Sequence, residues 1–143
     1  MVELMVALAI VGILAAVAVP AYNAQVRKSR RTDARTALLD LAGREEKLNS
    51  TMSIYSTDFT DLGWTATGPW MTVGSGNYEV NVTVGAPPVP GSGMPYTYML
   101  TARPKAGSDQ LNDTTCQKFT LDSLGTQTSY DSGGAITTTT CWH

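Results

Sequence analysis

The feature that most constrains this chain is a run of 23 uncharged residues from Leu4 to Val26, within a sequence of 143 residues. At 1.5 Å per residue, about 20 helical residues cross a hydrocarbon core of roughly 30 Å. The run is therefore long enough to span a membrane as a helix. The mean hydropathy of the whole chain, -0.07, hides this run because a polar remainder offsets it.

The net charge has opposite signs in the two parts of the chain on either side of residue 43. Residues 1-43 carry five basic and three acidic residues, a net charge of +2. Residues 44-143 carry five basic and nine acidic residues, a net charge of -4. This negative remainder makes nucleic acid an unexpected partner. Two Cys and one His leave few protein-only zinc sites, so no metal and no cofactor is expected.

The sequence contains no recognisable pattern of catalytic residues. The single histidine is His143, a terminal position that does not suit a positioned base. The glycines of Gly91-Ser92-Gly93 lie in a proline-rich stretch, so no phosphate-binding loop is expected. Asp109 and Asp113 are expected to be solvated turn residues and not cation ligands. The sequence therefore predicts that the chain is not an enzyme.

Three interpretations of the N-terminal run are open. A cleaved secretory signal needs a basic region before the apolar run, and Glu3 stands there instead. A single-pass anchor would place the basic residues after the run in the cytoplasm, whereas two cysteines favour the opposite side. A helix that assembles with other copies is the third. Glu3 favours it, because a carboxylate at the edge of an apolar span usually has a partner, unless it snorkels to the headgroups.

Beyond Pro20 the helix is predicted to continue to about Asn49. Such a helix is roughly 75 Å long, so its first half must protrude from a head of this size. Four apolar residues of the second half share one helix face: Ala34, Leu38, Leu41 and Leu48. Five basic residues lie in the same stretch, where a solvated face or headgroup contacts would explain them: Arg27, Lys28, Arg30, Arg31 and Arg35.

Alternating apolar residues predict a small sheet in the remaining sequence. Strands are expected over 77-84, 96-103 and 117-122, and a turn at Gly125 leads to a fourth near 126-130. One amphipathic helix packed on an antiparallel sheet gives an α+β domain.

Two long segments are expected to be loops. Residues 85-95 form a connection, because they contain four prolines and three glycines. Residues 50-76 form an excursion that packs on the sheet through large side chains: Tyr55, Phe59, Leu62, Trp64 and Trp70. Cys116 and Cys141 both fall in this head. They are either bridged, which would contribute roughly 3–4 kcal/mol, or two free thiols.

The residues from Glu3 to Tyr22, ELMVALAIVGILAAVAVPAY, resemble the N-terminal helix of type IV pilins. The Glu, the mid-helix Gly12 and the later Pro20 stand at the mutual spacing of that family. One departure concerns the start, since mature pilins usually begin with an N-methylated Phe and carry the Glu fifth. Here Met1 leads and the Glu is third. Two residues and a leader are therefore expected to be missing from this numbering, so no methylated residue or prepilin peptidase site is assigned.

The other end of the chain carries a second resemblance. The segment CQKFTLDSLG from Cys116, continued to Cys141-Trp142, is similar to a subgroup of type IVa pilins and pilin-like minor subunits. In that family the cysteines bound a C-terminal disulfide loop, which implies a Cys116–Cys141 bridge here. The resemblance implies three parts: an apolar membrane or filament-core segment (1-26), the amphipathic half of the same helix (27-49) and a globular head (50-143).

The resemblance also implies roles in assembly. Glu3 would neutralise the N-terminal amine of a neighbouring subunit, and the helix would melt or kink between Gly12 and Pro20. The five basic residues between Arg27 and Arg35 would contact acidic groups of neighbouring subunits. The filament core would be formed by apolar residues of the first segment: Leu4, Val6, Leu8, Ile10, Val11, Ile13, Leu14 and Val17.

The implied function is that of a structural subunit of an extracellular type IV pilus. Such a subunit is stored in the inner membrane and polymerised with many copies by the pilus assembly machinery, and the filament serves surface attachment, twitching motility or DNA uptake. Two alternatives stay open, namely a minor or DNA-binding pilin and a pseudopilin of a type II secretion system. DNA binding would need a local basic patch, for which Arg103, Lys105 and Lys118 are the candidates.

Overall fold

The computed structural model describes residues 2–66, 68–85 and 97–142. A long helix, α1, is followed by a five-stranded sheet, with a 3-10 turn over Asp109–Asn112 and a short helix, α2, near the end. This is the predicted α+β fold. The bounds are α1 Val2–Met52, β1 Met71–Val73, β2 Tyr78–Gly85, β3 Thr97–Pro104, β4 Lys118–Asp122, β5 Gln127–Tyr130 and α2 Thr138–Cys141.

Helix α1 runs three residues beyond the predicted end and stops at Met52. Ser53, which follows it, has a φ of 56°, in the left-handed region that commonly ends helices. Only the second half of α1 packs on the sheet. Its predicted apolar face is confirmed, since all four residues are buried together with two further members of the same face: Ala34, Leu38, Leu41, Leu48, Ala37 and Glu45.

The sheet is an antiparallel meander in which each strand pairs with the next, in the order β1-β2-β3-β4-β5. The four predicted strands are confirmed within one residue at each end. Alternation works because one face packs on α1 and the other meets solvent. The predicted connection over 85-95 lies outside the described residues from 86 onward, as does Tyr96. The inner face is buried through Tyr78, Val80, Val82, Tyr98, Leu100, Ala102, Phe119 and Leu121.

Strand β1 falls inside the segment that was expected to be a loop. Its three residues pair with β2, from Met71 opposite Val80 to Val73 opposite Tyr78. Three residues are too few for alternation to be visible in the sequence, so only the partner strand defines this one. Of the predicted anchors, Phe59 and Leu62 are buried, whereas Tyr55, Trp64 and Trp70 are half-buried.

The C-terminal tail is attached to the core by a disulfide. Cys116 and Cys141 are bridged, with their Cα atoms 5.8 Å apart, so the bridge implied by the resemblance is confirmed and the free-thiol alternative is wrong. The bridge brings Trp142 against Phe119, edge to face, with ring centroids 5.9 Å apart. The tail, which has little apolar sequence of its own, thereby contributes a buried aromatic ring to the core.

Candidate functional site

The first half of α1 is an unpartnered apolar surface. Every residue from Val2 to Gln25 is exposed, and an 18-residue window of the helix has a mean hydropathy of 2.7 with none of it buried. Among the residues that the structure describes, α1 is the one helix long and apolar enough to cross a membrane. The predicted filament-core residues all lie here, exposed by about half to three quarters: Leu4, Val6, Leu8, Ile10, Val11, Ile13, Leu14 and Val17.

The residues predicted to direct assembly sit on the same half. Glu3 lies in the first turn of α1, where a carboxylate complements the helix dipole. Gly12 and Pro20 lie within one continuous helix in the single chain. The predicted melt between them concerns the assembled filament, so it stays a prediction, as do the partner of Glu3 and the inter-subunit contacts.

An ion pair fastens the head to α1. Arg31 forms two hydrogen bonds with Asp113, Nε to Oδ2 at 2.7 Å and Nη2 to Oδ1 at 2.8 Å. The side chains are 14% and 5% exposed. Buried Gln110 extends the pair, because its Nε2 donates to Asp113 Oδ2 and to the carbonyl oxygen of Arg27. The expectation that Asp113 is a solvated turn residue is therefore wrong. We call Arg31, Gln110 and Asp113 the clamp.

Two of the remaining basic residues also have partners within the chain. Arg27 and Arg30 both lie near Asp109, at 3.9 and 3.7 Å. Lys28 is exposed and has no ion pair among the described residues, and Arg35 donates to Thr32 Oγ1 at 3.1 Å. These cations pack with the head, so the net charge of the head includes the second half of α1 and is not counted from residue 44. Residues 27-142 contain ten basic and eleven acidic residues and are nearly balanced.

Two of the three candidate DNA contacts, Arg103 and Lys118, lie on the solvent face of the sheet, and Lys105 is exposed just after β3. The pairing of β3 with β4 ends at Ala102 opposite Phe119, and Arg103 and Lys118 are the next residues of the two strands at that end. Lys105 follows β3, and its amide donates to the carbonyl oxygen of Asn77. Strand alternation alone could have placed Arg103 and Lys118 on this face, but their adjacency depends on the pairing of β3 with β4.

Aromatic rings accompany both of the strand cations. The Arg103 guanidinium lies 3.7 Å from the centroid of the Trp70 ring, and Lys118 Nζ lies 4.0 Å from that of Tyr130. We call these four residues the outer row. Glu79 accepts a hydrogen bond from Arg103 at 2.7 Å and offsets part of its charge. Cations held over rings in this way present a flat basic surface suited to phosphates and bases.

Among the residues that the structure describes, one carboxylate is buried without a cation. Glu45 is fully buried between α1 and the following loop, and only its Oε2 accepts a bond, from the Ser56 amide at 3.2 Å. Burial is the main cause that raises the pKa of Glu45 to about 7, and the charges of Glu46 and Asp61 add to the effect. The helix periodicity places Glu45 on the apolar face, but no sequence signal revealed that it would be fully covered.

Glu45→Gln is expected to stabilise the protein above neutral pH. The folded state holds the proton more tightly than the unfolded state, so wild-type stability is full below pH 4.5 and is lost as pH rises through 7. The variant cannot lose that proton, and its advantage should grow from pH 5 to pH 8 to at most about 3 kcal/mol. Urea unfolding at both pH values checks this. Asp40→Asn, an exposed carboxylate on the same helix that does not contribute to the pKa of Glu45, serves as the control, and an advantage equal at both pH values would contradict the assignment.

Comparison with known proteins gives a family match. No match is found among curated proteins. A family model described as "Type IV minor pilin ComP, DNA uptake sequence receptor" matches residues 20–120, which are 101 of the 143 residues. That range includes the second half of α1, the clamp and strands β1 to β3, and it ends within β4. The chain therefore belongs to the type IV minor pilin family of that description.

Proposed function

We propose that this chain is a minor subunit of a type IV pilus that binds DNA through the outer row. The family description gives the class, a minor pilin that acts as a receptor in DNA uptake. The arrangement of Arg103 and Lys118 on one face of the sheet carries the proposal for this chain. The family match also favours a pilus over a type II secretion system.

Residues 1-26 insert the subunit into the filament. Their exposed apolar surface needs a membrane before assembly and neighbouring helices afterwards, since the described part of the head buries none of the most apolar 18-residue window. The inner membrane and then the extracellular pilus are the proposed locations, and the pilus assembly machinery and other pilus subunits are the proposed partners. Surface attachment, twitching motility, N-terminal methylation and the absence of enzymatic activity stay predictions.

The outer row suits DNA because it combines charge with flat rings. Arg103 can contact a phosphate while the Trp70 ring supports its guanidinium, and Lys118 extends the positive surface across β4. The net negative charge of residues 44-143, taken alone, disfavours DNA binding. The helix arginines that pair with Asp109 and Asp113 remove most of that objection.

Arg103→Gln/Lys118→Gln is expected to weaken duplex DNA binding and to lower its salt dependence. Removing one phosphate contact reduces the slope of log affinity against log salt by about 0.9, so the slope of the double variant should fall by roughly 1.8. The measurement is fluorescence anisotropy of a labelled duplex with the full chain in mild detergent, over a range of salt concentrations. Lys47→Gln, an exposed cation on α1, is the control for general charge.

Glu79→Gln provides a test of opposite sign at the same surface. Removing the carboxylate that accepts from Arg103 frees the guanidinium, so affinity and salt dependence should both rise. DNA binding that is unchanged in the double variant and in Glu79→Gln would overturn the assignment to the outer row.

A further inference from the structure

We propose that a pocket at the end of the head nearest to the apolar half of α1 binds the phosphate of an anionic phospholipid. The pocket lies on α1, where the helix leaves its apolar run, and has a volume of about 250 Å³. Its walls come from one helix face and from the disulfide-bonded tail: Gln25, Lys28, Ser29, Arg31, Thr32, Arg35 and Cys141. The proposal rests on the proposed membrane insertion of residues 1-26. The site is separate from the outer row, so lipid binding and DNA binding fail independently.

The lining has the chemistry of an anion site. Two guanidiniums, an ammonium, two hydroxyls and an amide supply hydrogen-bond donors, and no carboxylate is among the described lining residues. Arg31 directs Nε and Nη2 to Asp113, which balances its charge. Lys28 and Arg35 therefore provide the uncompensated positive charge. A phosphate is the anion best matched to donors that converge in this way.

The side chain of Arg35 is directed along α1 toward the membrane end of the pocket. Its Nη2 donates to Thr32 Oγ1 at 3.1 Å, which holds the guanidinium about one turn back toward the N-terminal end of α1. Lys28 stands two turns before Arg35 on the same face. The wall opposite the helix is Cys141, which is held by the bridge to Cys116 and cannot swing away. The guanidinium of Arg35 and the wall at Cys141 are therefore held in place before any ligand arrives.

The position of the pocket along α1 favours a lipid phosphate over a free phosphate. The uncharged run ends at Val26, and Lys28 follows two residues later, about 3 Å along the axis. The headgroup region extends roughly 5–8 Å beyond the hydrocarbon core, so a bilayer spanned by residues 4-26 places its phosphates at the pocket mouth. Cations at this level are attracted to anionic lipids. The pocket would hold the head upright on the membrane while the subunit awaits assembly.

Native mass spectrometry of the full chain in detergent tests the proposal. The probes are phosphatidylglycerol and phosphatidylcholine in equal amounts, with inorganic phosphate and a duplex oligonucleotide as competitors. The wild type should retain phosphatidylglycerol preferentially, and Lys28→Gln/Arg35→Gln should reduce that preference roughly tenfold while leaving DNA binding intact. Arg103→Gln/Lys118→Gln removes two cations as well and should do the reverse, losing DNA affinity but keeping the lipid preference.

Three results would overturn it. An equal preference in the wild type and in Lys28→Gln/Arg35→Gln would remove the pocket from lipid binding. Displacement of the lipid by millimolar inorganic phosphate would make it a site for free phosphate. Displacement by the duplex, together with weaker DNA binding in Lys28→Gln/Arg35→Gln, would make it part of the DNA surface.

Discussion

Arg31→Met is expected to lower the free energy of unfolding by about 3–5 kcal/mol, because it breaks a buried ion pair by removing one partner. The side chain of Asp113 is 5% exposed, and the substitution leaves its charge buried without the two hydrogen bonds from the guanidinium. Gln110 alone cannot balance a carboxylate. Urea unfolding in mild detergent, followed by tryptophan fluorescence of the head, measures the change.

A second variant separates the effect of the buried charge from that of the missing hydrogen bonds. Arg31→Met/Asp113→Leu removes both charges and should recover most of the stability, because two apolar side chains of similar size replace the pair without an orphaned ion. Arg27→Met, which removes a cation with only a 3.9 Å contact to an exposed carboxylate, should change stability by less than about 1 kcal/mol. A single Arg31→Met variant as stable as Arg27→Met would show that the clamp does not hold the head on α1.

Glu3→Ala is expected to lower the amount of the chain in pili at least about tenfold, while the folded head stays unchanged. The carboxylate lies at the edge of an exposed apolar helix and has no basic partner among the described residues. Within an apolar filament core, its pairing with a neighbour's amine would be strong, and its removal would leave that amine uncompensated. Quantitative mass spectrometry of sheared pili, compared with the membrane fraction, measures the change.

The matched control for assembly is Asp40→Asn. Asp40 is an exposed carboxylate on the same helix whose partner, Arg44, lies within the chain at 2.8 Å. Its replacement should leave the amount of chain in pili unaltered. Equal amounts of the Glu3→Ala and Asp40→Asn chains in pili would contradict the proposed role of Glu3.

Local periodicity predicted much of this fold. Alternation of apolar residues located β2 and β3 because each has a buried face and a more exposed face. Phe119 and Leu121 located β4, although Thr120 between them is buried as well. The apolar spacing from Ala34 to Leu48 located the packed half of α1 for a similar reason. The short strand β1 was missed, since pairing with β2 and not its own pattern keeps it extended.

The candidate sites depended on contacts that no local pattern contains. Arg31 and Asp113 are 82 positions apart, and only the packing of the head on α1 joins them. The sequence alone therefore suggested a solvated turn residue at Asp113. Arg103 and Lys118 were identified as candidates, but their placement beside each other needed the β3–β4 register. The division of charge at residue 43 failed because α1 is one helix that serves both the membrane segment and the head.

The most direct test of the proposed DNA-binding role is DNA retention by purified pili. Pili that carry the wild-type chain are compared with pili that carry Arg103→Gln/Lys118→Gln, after mass spectrometry has shown equal amounts of the chain in both. The variant pili are expected to retain several-fold less duplex DNA and to release it at lower salt. Equal retention by the two kinds of pili, with the same salt dependence, would contradict DNA binding through the outer row.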